Sequence, residues 1–170
     1  TTSKNPRSTV GTVTEVYDYL RLMFARIGIP HSPTTGLPIQ SQTVTQMVDQ
    51  VHKIKEGTKA YLLSPIIRGR KGEYRKEFSN LLKKGFQRVK IDGEFYELDN
   101  VPNLEKNIKH DIDVVVDRIV IDKSLGNRLA DSFETALQLS DGLAAIELAS
   151  GKENGKRIVY SANYSCPESG

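Results

Sequence analysis

Apolar positions along this chain change period several times, and each change marks an element. Val13, Val16, Tyr17, Leu20, Phe24 and Ile27 recur at helical spacing behind Thr12-x-x-Glu15, and Gly28 closes the run. A Thr-x-x-Glu box starts helices because each side chain satisfies a backbone amide that the first turn leaves unbonded. The Pro/Thr/Gly-rich stretch 30–38 breaks the pattern and is the best candidate for a boundary. Thr43-x-x-Gln46 repeats the box ahead of Met47, Val48, Val51 and Ile54, which predicts a second amphipathic helix. From Tyr61 to Ile67 the text reads as a strand, and Pro65, lacking an amide hydrogen, fits there only at an edge or a bulge. The loop Arg68–Gly72 leads to a helix over 73–84, with Tyr74, Phe78, Leu81 and Leu82 on one side and Gly85 as its left-handed cap. Phe86–Asp92 and Glu94–Leu98 alternate as strands do, hinged at Asp92-Gly93, a pair that tolerates the positive φ angles of a tight hairpin turn. A long β-branched strand follows around 111–121, then a helix capped by Ser124 with Leu125, Leu129, Phe133, Ala136 and Leu137 inward. Strands Leu143–Leu148 and Arg157–Ser161 close the chain around a Gly/Lys-rich turn at 151–156. Strands joined by short turns predict an α+β fold, a mainly antiparallel sheet with packed helices, to which the N-terminal helix is added as part of a flanking domain.

One residue does not fit its strand. In Lys109–Asp122, strict alternation puts Ile112, Val114, Val116 and Val120 on one face, and Arg118 falls on that face as well. Either a twist or bulge near Asp117 turns Arg118 outward to be solvated, or the strand leaves the core there and presents a cation to a partner. A second charged face is expected nearby, because Phe86–Asp92 sets Val89 and Ile91 against Arg88, Lys90 and Asp92. An arginine on a rigid strand pairs two-pronged with a carboxylate while losing less entropy than one on a loop. The plain alternative is a solvated sheet face; on the recognition reading, Arg88 and Arg118 share one patch.

Composition narrows the function classes. With 170 residues, 38% hydrophobic and 26% charged, the chain buries one ordinary core. No run approaches the roughly 18 apolar residues of a membrane helix and no signal segment stands at the start, so no membrane association is expected. The single Cys166 excludes an internal disulfide and fits a cytoplasmic location. A net charge of +3 and a pI near 8.9 permit contact with nucleic acid without arguing for it. The polar opening and the stop at Cys166–Gly170 read as cut ends of a larger protein.

Catalytic chemistry is not expected. His31, His52 and His110 show no ligand spacing, and the hydroxyls of Ser161–Ser165 have no evident base. Gly151–Lys156 is one residue short of a phosphate loop and has Arg157 where Ser or Thr must hold magnesium, so it reads as a hairpin turn. Ser32–Gly36 and Cys166–Gly170 have the outline of zinc knuckles, but only one of four thiolates is present, and both read as turns without metal. The basic run Arg68, Arg70, Lys71, Arg75 and Lys76 sits in a Gly-flanked loop at a helix start, an arrangement of amides and cations suited to phosphates; DNA contact there is the alternative function. No aromatic residues interleave it for base stacking.

Asn5–Arg21, Gln42–Asp49, Arg70-Lys-Gly-Glu73, Arg88-Val-Lys-Ile-Asp-Gly93, His110–Arg118 and Asp131–Leu137 resemble, in that order, segments of the UvrA family, the damage-recognition ATPases of bacterial nucleotide excision repair. The resemblance covers essentially the whole chain. It implies that residues 40–158 are the domain that docks the next repair protein, UvrB, that 1–39 flank it as part of the ATPase signature domain, and that 159–170 return there. It also implies a docking surface built on the arginine of the G-[YF]-x-R-V-[RK]-[IV]-D strand and that of V-V-V-D-R, here Arg88 and Arg118, with Lys90, Asp92 and Asp117 beside them. For the family's full-length members it implies ATP, magnesium and zinc as cofactors, damaged DNA as a ligand, and a homodimer. No cofactor is expected within 1–170, because the ATP-binding lysine loop lies elsewhere in the family's sequence. Ser169 stands where the family often has the second cysteine of C-P-x-C-G.

Overall fold

A computed structural model describes residues 14–28, 41–151 and 153–163. In chain order the elements are helix α1 (Val16–Ile27), α2 (Val44–Val51), β1 (Lys59–Lys71), α3 (Arg75–Lys83), β2 (Arg88–Ile91), β3 (Glu94–Glu97), β4 (Lys109–Val120), α4 (Gly126–Leu139), β5 (Leu143–Leu148) and β6 (Arg157–Ser161). The six strands form one antiparallel sheet in the order β3-β2-β4-β1-β5-β6, the α+β fold expected from the pattern.

Local chemistry explains most of the boundaries. The Thr43 hydroxyl accepts from the Gln46 amide while the Gln46 side chain accepts from the Thr43 amide, so α2 starts on its predicted box. Asp92 and Gly93 both take positive φ, 51° and 97°, as the tight turn between β2 and β3 requires. Gly85, at φ 89°, ends α3 with its amide on the Leu82 carbonyl. The α4 cap differs from expectation: Asp122, not Ser124, accepts from the Ser124 amide and opens a 3-10 turn, Lys123–Leu125, ahead of the helix. A carboxylate two residues upstream bonds that amide without bending its own backbone into the helix. The Thr12 box and the break at 30–38 lie outside the described residues.

β1 corrects a second expectation. Arg68–Lys71 are not a loop but the far end of this strand, with Arg70 opposite His110 and Lys71 opposite Lys109. The run reads as a loop because glycine and charge signal turns locally, whereas here the length of β4 decides. Pro65 sits beside a register shift and beyond the part of β1 that pairs with β5, so its missing amide hydrogen leaves no ladder bond unmade.

All the helices that pack on the sheet cover the same face. α2 and α4 lie over Ala60, Leu62, Ile119, Ile146 and Tyr160, with Phe133 edge-on to Tyr160 at 5.3 Å. α3 contributes Phe78 and Leu81 to a second cluster with Val89, Ile91, Ile112 and Val114. Ser64, fully buried, donates to the Ala136 carbonyl at 2.7 Å and ties the sheet to α4. The opposite face carries no helix among the described residues. α1 has no buried residue, and no described helix is long and apolar enough to cross a membrane.

Candidate functional site

Arg118 reaches the uncovered face through a bulge. Leu62 pairs with Asp117 but Leu63 pairs with Val115, so Val116 is an extra residue with no partner on β1. Before it, Ile112 and Val114 point to the helices; after it the alternation is inverted, with Ile119 in the core and Arg118 opposite Tyr61 on the other side. Asp117 holds this kink. Its two carboxylate oxygens accept from the Arg118 amide (2.8 Å), from two guanidinium nitrogens of Arg128 on α4 (2.7 and 3.1 Å) and from the Ser132 hydroxyl (3.1 Å).

Three contacts on the uncovered face skip two intervening strands. Lys90 of β2 holds Glu147 of β5 with both oxygens at 2.6 Å; Arg157 of β6 forks onto Asp113 of β4 at 2.6 and 2.8 Å; the rings of Tyr61 on β1 and Phe95 on β3 lie 4.7 Å apart. In a flat sheet such strands would be about 14 Å apart, three spacings of roughly 4.8 Å. Extended Lys, Arg and Glu side chains nearly span that gap, but the short-stemmed rings of Tyr61 and Phe95 do not, so the sheet curls toward this face and leaves it concave. Its floor is Leu63, Val115 and Ala145, roofed in part by Tyr61 and Val159. Around that apolar island stand the ion pairs, with Lys90 also 5.3 Å from the Phe95 ring centroid.

At one end of the hollow, β2 and β4 part company after the pair Val89 and Val114. The gap is a cleft of about 280 Å³, lined by Gly85–Arg88 on one side and Val115–Arg118 on the other, with Arg128 reaching in from α4. Three guanidinium groups and one carboxylate thus converge on an open slot. Arg88 and Arg128 are held firmly protonated by hydrogen bonds from their guanidiniums to Glu97 and Asp117 respectively. Arg118 makes no side-chain ion pair among the described residues. The donors that arginine offers in pairs suit a carboxylate, so the slot has the chemistry to receive one.

Comparison with known proteins identifies the family. A family model described as the UvrA interaction domain matches residues 42–150, most of the chain. The chain belongs to the UvrA interaction domain family. Relatives named UvrABC system protein A match it over its full length: 59% identical in Rhizobium meliloti, 61% in Mesorhizobium japonicum and 57% in Agrobacterium fabrum. The chain spans 19% of the length of each of these relatives.

In this UvrA interaction domain the residues singled out from sequence have different surroundings. Arg88 and Arg118 do line one cleft. Lys90 shares their face, but its side chain is 14% exposed and its ammonium is committed to Glu147, so it braces the hollow and presents no free charge. Asp92 leaves that face altogether. It sits in the hairpin turn, where one oxygen accepts from the Asp111 amide at 2.8 Å and the other lies 2.7 Å from His110 Nδ1. Asp117 points toward the helices and positions Arg118. The basic run also reads differently. Arg68, Arg70 and Lys71 are in β1, the Gly69 amide is already spent on Asp111 at 2.6 Å, and Arg75 and Lys76 begin α3 with Arg75 facing Glu73 at 3.4 Å. The Gly-flanked loop of free amides needed for a phosphate is absent from these residues. Both zinc-knuckle outlines, with Cys166 and Ser169, lie outside the described residues.

Tyr61, Phe95, Glu97 and Arg128 were not legible as site residues. Glu147 carried a signal, since it is the lone charge in the otherwise apolar strand Leu143–Leu148 and is buried. An ionised group in such a strand demands a partner.

Proposed function

We propose that this domain, over about residues 40–158, docks UvrB and so recruits it within bacterial nucleotide excision repair, in the cytoplasm. The observation that carries the reading is the bulge at Val116, which delivers Arg118 to the same cleft as Arg88 at the margin of a concave, helix-free face. Protein interfaces concentrate energy in a buried apolar centre ringed by polar groups, with arginine and tyrosine over-represented at the strong points. The island of Leu63, Val115 and Ala145 under Tyr61, ringed by Arg88, Lys90, Arg157 and Arg118, has that composition. Exposed arginines at its edge favour fast, salt-sensitive capture, which suits a protein that delivers its partner and then lets go. In this reading ATP, magnesium, zinc, damaged DNA and homodimer contacts belong to the longer protein.

The test is capture of purified UvrB by the domain carrying Arg118→Glu or Arg88→Ala. Arg118 is exposed and makes no side-chain ion pair among the described residues, so its reversal leaves unfolding within about 0.5 kcal/mol of the parent. Binding falls by about 2–5 kcal/mol, which a pull-down registers as loss of the complex. Undiminished capture by folded Arg118→Glu protein refutes the reading. Alanine is used at Arg88 because reversal there would set a second carboxylate opposite Glu97.

A further inference from the structure

Arg88 arrives at the cleft already occupied. Its Nε donates to Glu97 Oε1 at 2.6 Å and a terminal nitrogen lies 2.5 Å from the same oxygen, across the register pair that joins β2 to β3. Both side chains stand in water, at 39% and 46% exposure, and the contact uses one carboxylate oxygen. Arg128, on the opposite flank, is held differently: two nitrogens grip Asp117, whose 15% exposed carboxylate also serves the Arg118 amide and the Ser132 hydroxyl. The cleft thus contains one arginine without a carboxylate, one loosely held, and one locked.

We propose that Glu97 is an internal stand-in for a partner's carboxylate: it keeps Arg88 oriented in the free domain and surrenders it on docking, so that the segment entering the cleft bears an acidic side chain. The inference rests on the docking reading and adds the chemistry of the partner and the residue that sets its threshold. Exchange is feasible because an exposed ion pair is worth only about a five-fold factor or less, and Glu97 returns to water when it lets go. A neutral segment has nothing to give Arg88 in return for Glu97 and would leave the pair closed. Arg118 receives the incoming charge first, and Arg128 stays on Asp117, keeping the bulge in shape as a positioning residue.

The experiment compares Glu97→Gln with Glu94→Gln in equilibrium and kinetic binding to UvrB. Glu94 lies on the same strand but opposite Ile91, where it accepts from the Tyr96 hydroxyl, so its substitution makes the same charge change away from Arg88. Glu97→Gln should bind about three- to five-fold tighter, mainly through a faster on rate, with the gain shrinking as salt is raised. Glu94→Gln should stay within about two-fold of the parent. Equal gains in the two variants, or no gain in Glu97→Gln while Arg118→Glu still loses UvrB, overturn the stand-in role and leave docking intact. Parental binding by Arg118→Glu overturns both. Melting curves of each variant confirm that the fold is retained.

Discussion

Lys90→Met removes one ammonium and little else, and its consequence follows from the curl of the sheet. In the parent, Lys90 Nζ lies 2.6 Å from both oxygens of Glu147, and the two side chains are 14% and 10% exposed. Taking one partner from a fully buried pair costs about 3–5 kcal/mol, because the remaining charge is stranded. Two features lower that figure here: the concave face admits water on one side, and Arg157 stands in register with Glu147 and keeps positive charge near it. About 2–3 kcal/mol remains, to which the lost contact of Lys90 with the Phe95 ring at 5.3 Å adds about 0.5 kcal/mol. In a domain of this size that lowers the melting temperature by roughly 8–12 °C. The assay is a double-mutant cycle of Lys90→Met and Glu147→Gln followed by urea unfolding, with a coupling energy of about 2 kcal/mol expected. Lys156 and Glu153, an exposed pair at 52% and 58%, serve as the internal control and should couple by less than about 0.5 kcal/mol. A Lys90–Glu147 coupling no larger than that control would mean that β2 and β5 do not meet over the sheet, and the concave face proposed for docking would fall with it.

Two further outcomes follow from buried polar groups. The Tyr160 hydroxyl has no hydrogen-bond partner among the described residues, and burial pushes its pKa up to about 12. Tyr160→Phe should therefore leave stability unchanged or raise it by up to about 1 kcal/mol in urea unfolding, and a loss above about 1 kcal/mol would reveal a partner. His110 is buried with Nδ1 at Asp92 and Nε2 3.1 Å from the Glu105 carbonyl. The Asp92 hydrogen bond raises its pKa above the ordinary 6.5; for Asp92, partial burial pulls upward, but the bonds from His110 and the Asp111 amide prevail and hold it below its ordinary value. The stabilisation from charged His110 is complete below about pH 6.5 and is lost as pH rises through its raised folded value, whereas that from Asp92 fails only in acid. Melting of the parent relative to His110→Gln should thus fall as pH rises above about 6.5; a constant difference would show that the folded ring is neutral.

Much of the architecture was readable because it depends on neighbours in the chain. The box at Thr43, the positive φ of Asp92 and Gly93, the cap at Gly85 and the limits of β5 and β6 all rest on interactions within a few residues. The failures have two causes. Arg68–Lys71 looked like a loop because the reach of β4, which pairs with it, lies far off in the chain; Ser124 looked like a cap although the Asp122 carboxylate only two residues upstream takes its amide, a choice between two local caps. For the candidate site, alternation flagged Arg118 as misplaced and offered a bulge as one remedy, and that is how β4 is built.

What the sequence determined by itself is therefore the inventory: the strands and helices in their order, that Arg88 and Val89 face opposite sides of their strand, and that Arg118 violates its strand's period. Only the tertiary structure decided which charges are available. Lys90 and Glu147, and likewise Asp113 and Arg157, are far apart in sequence and three strand spacings apart across the sheet, yet the curl brings each pair into contact and removes it from the free surface. Asp92 and Asp117 are likewise taken up by His110 and Arg128. Availability is a property of desolvation and long-range pairing, which no local period encodes, and it leaves Arg118 open, Arg88 lightly held, and a slot between them.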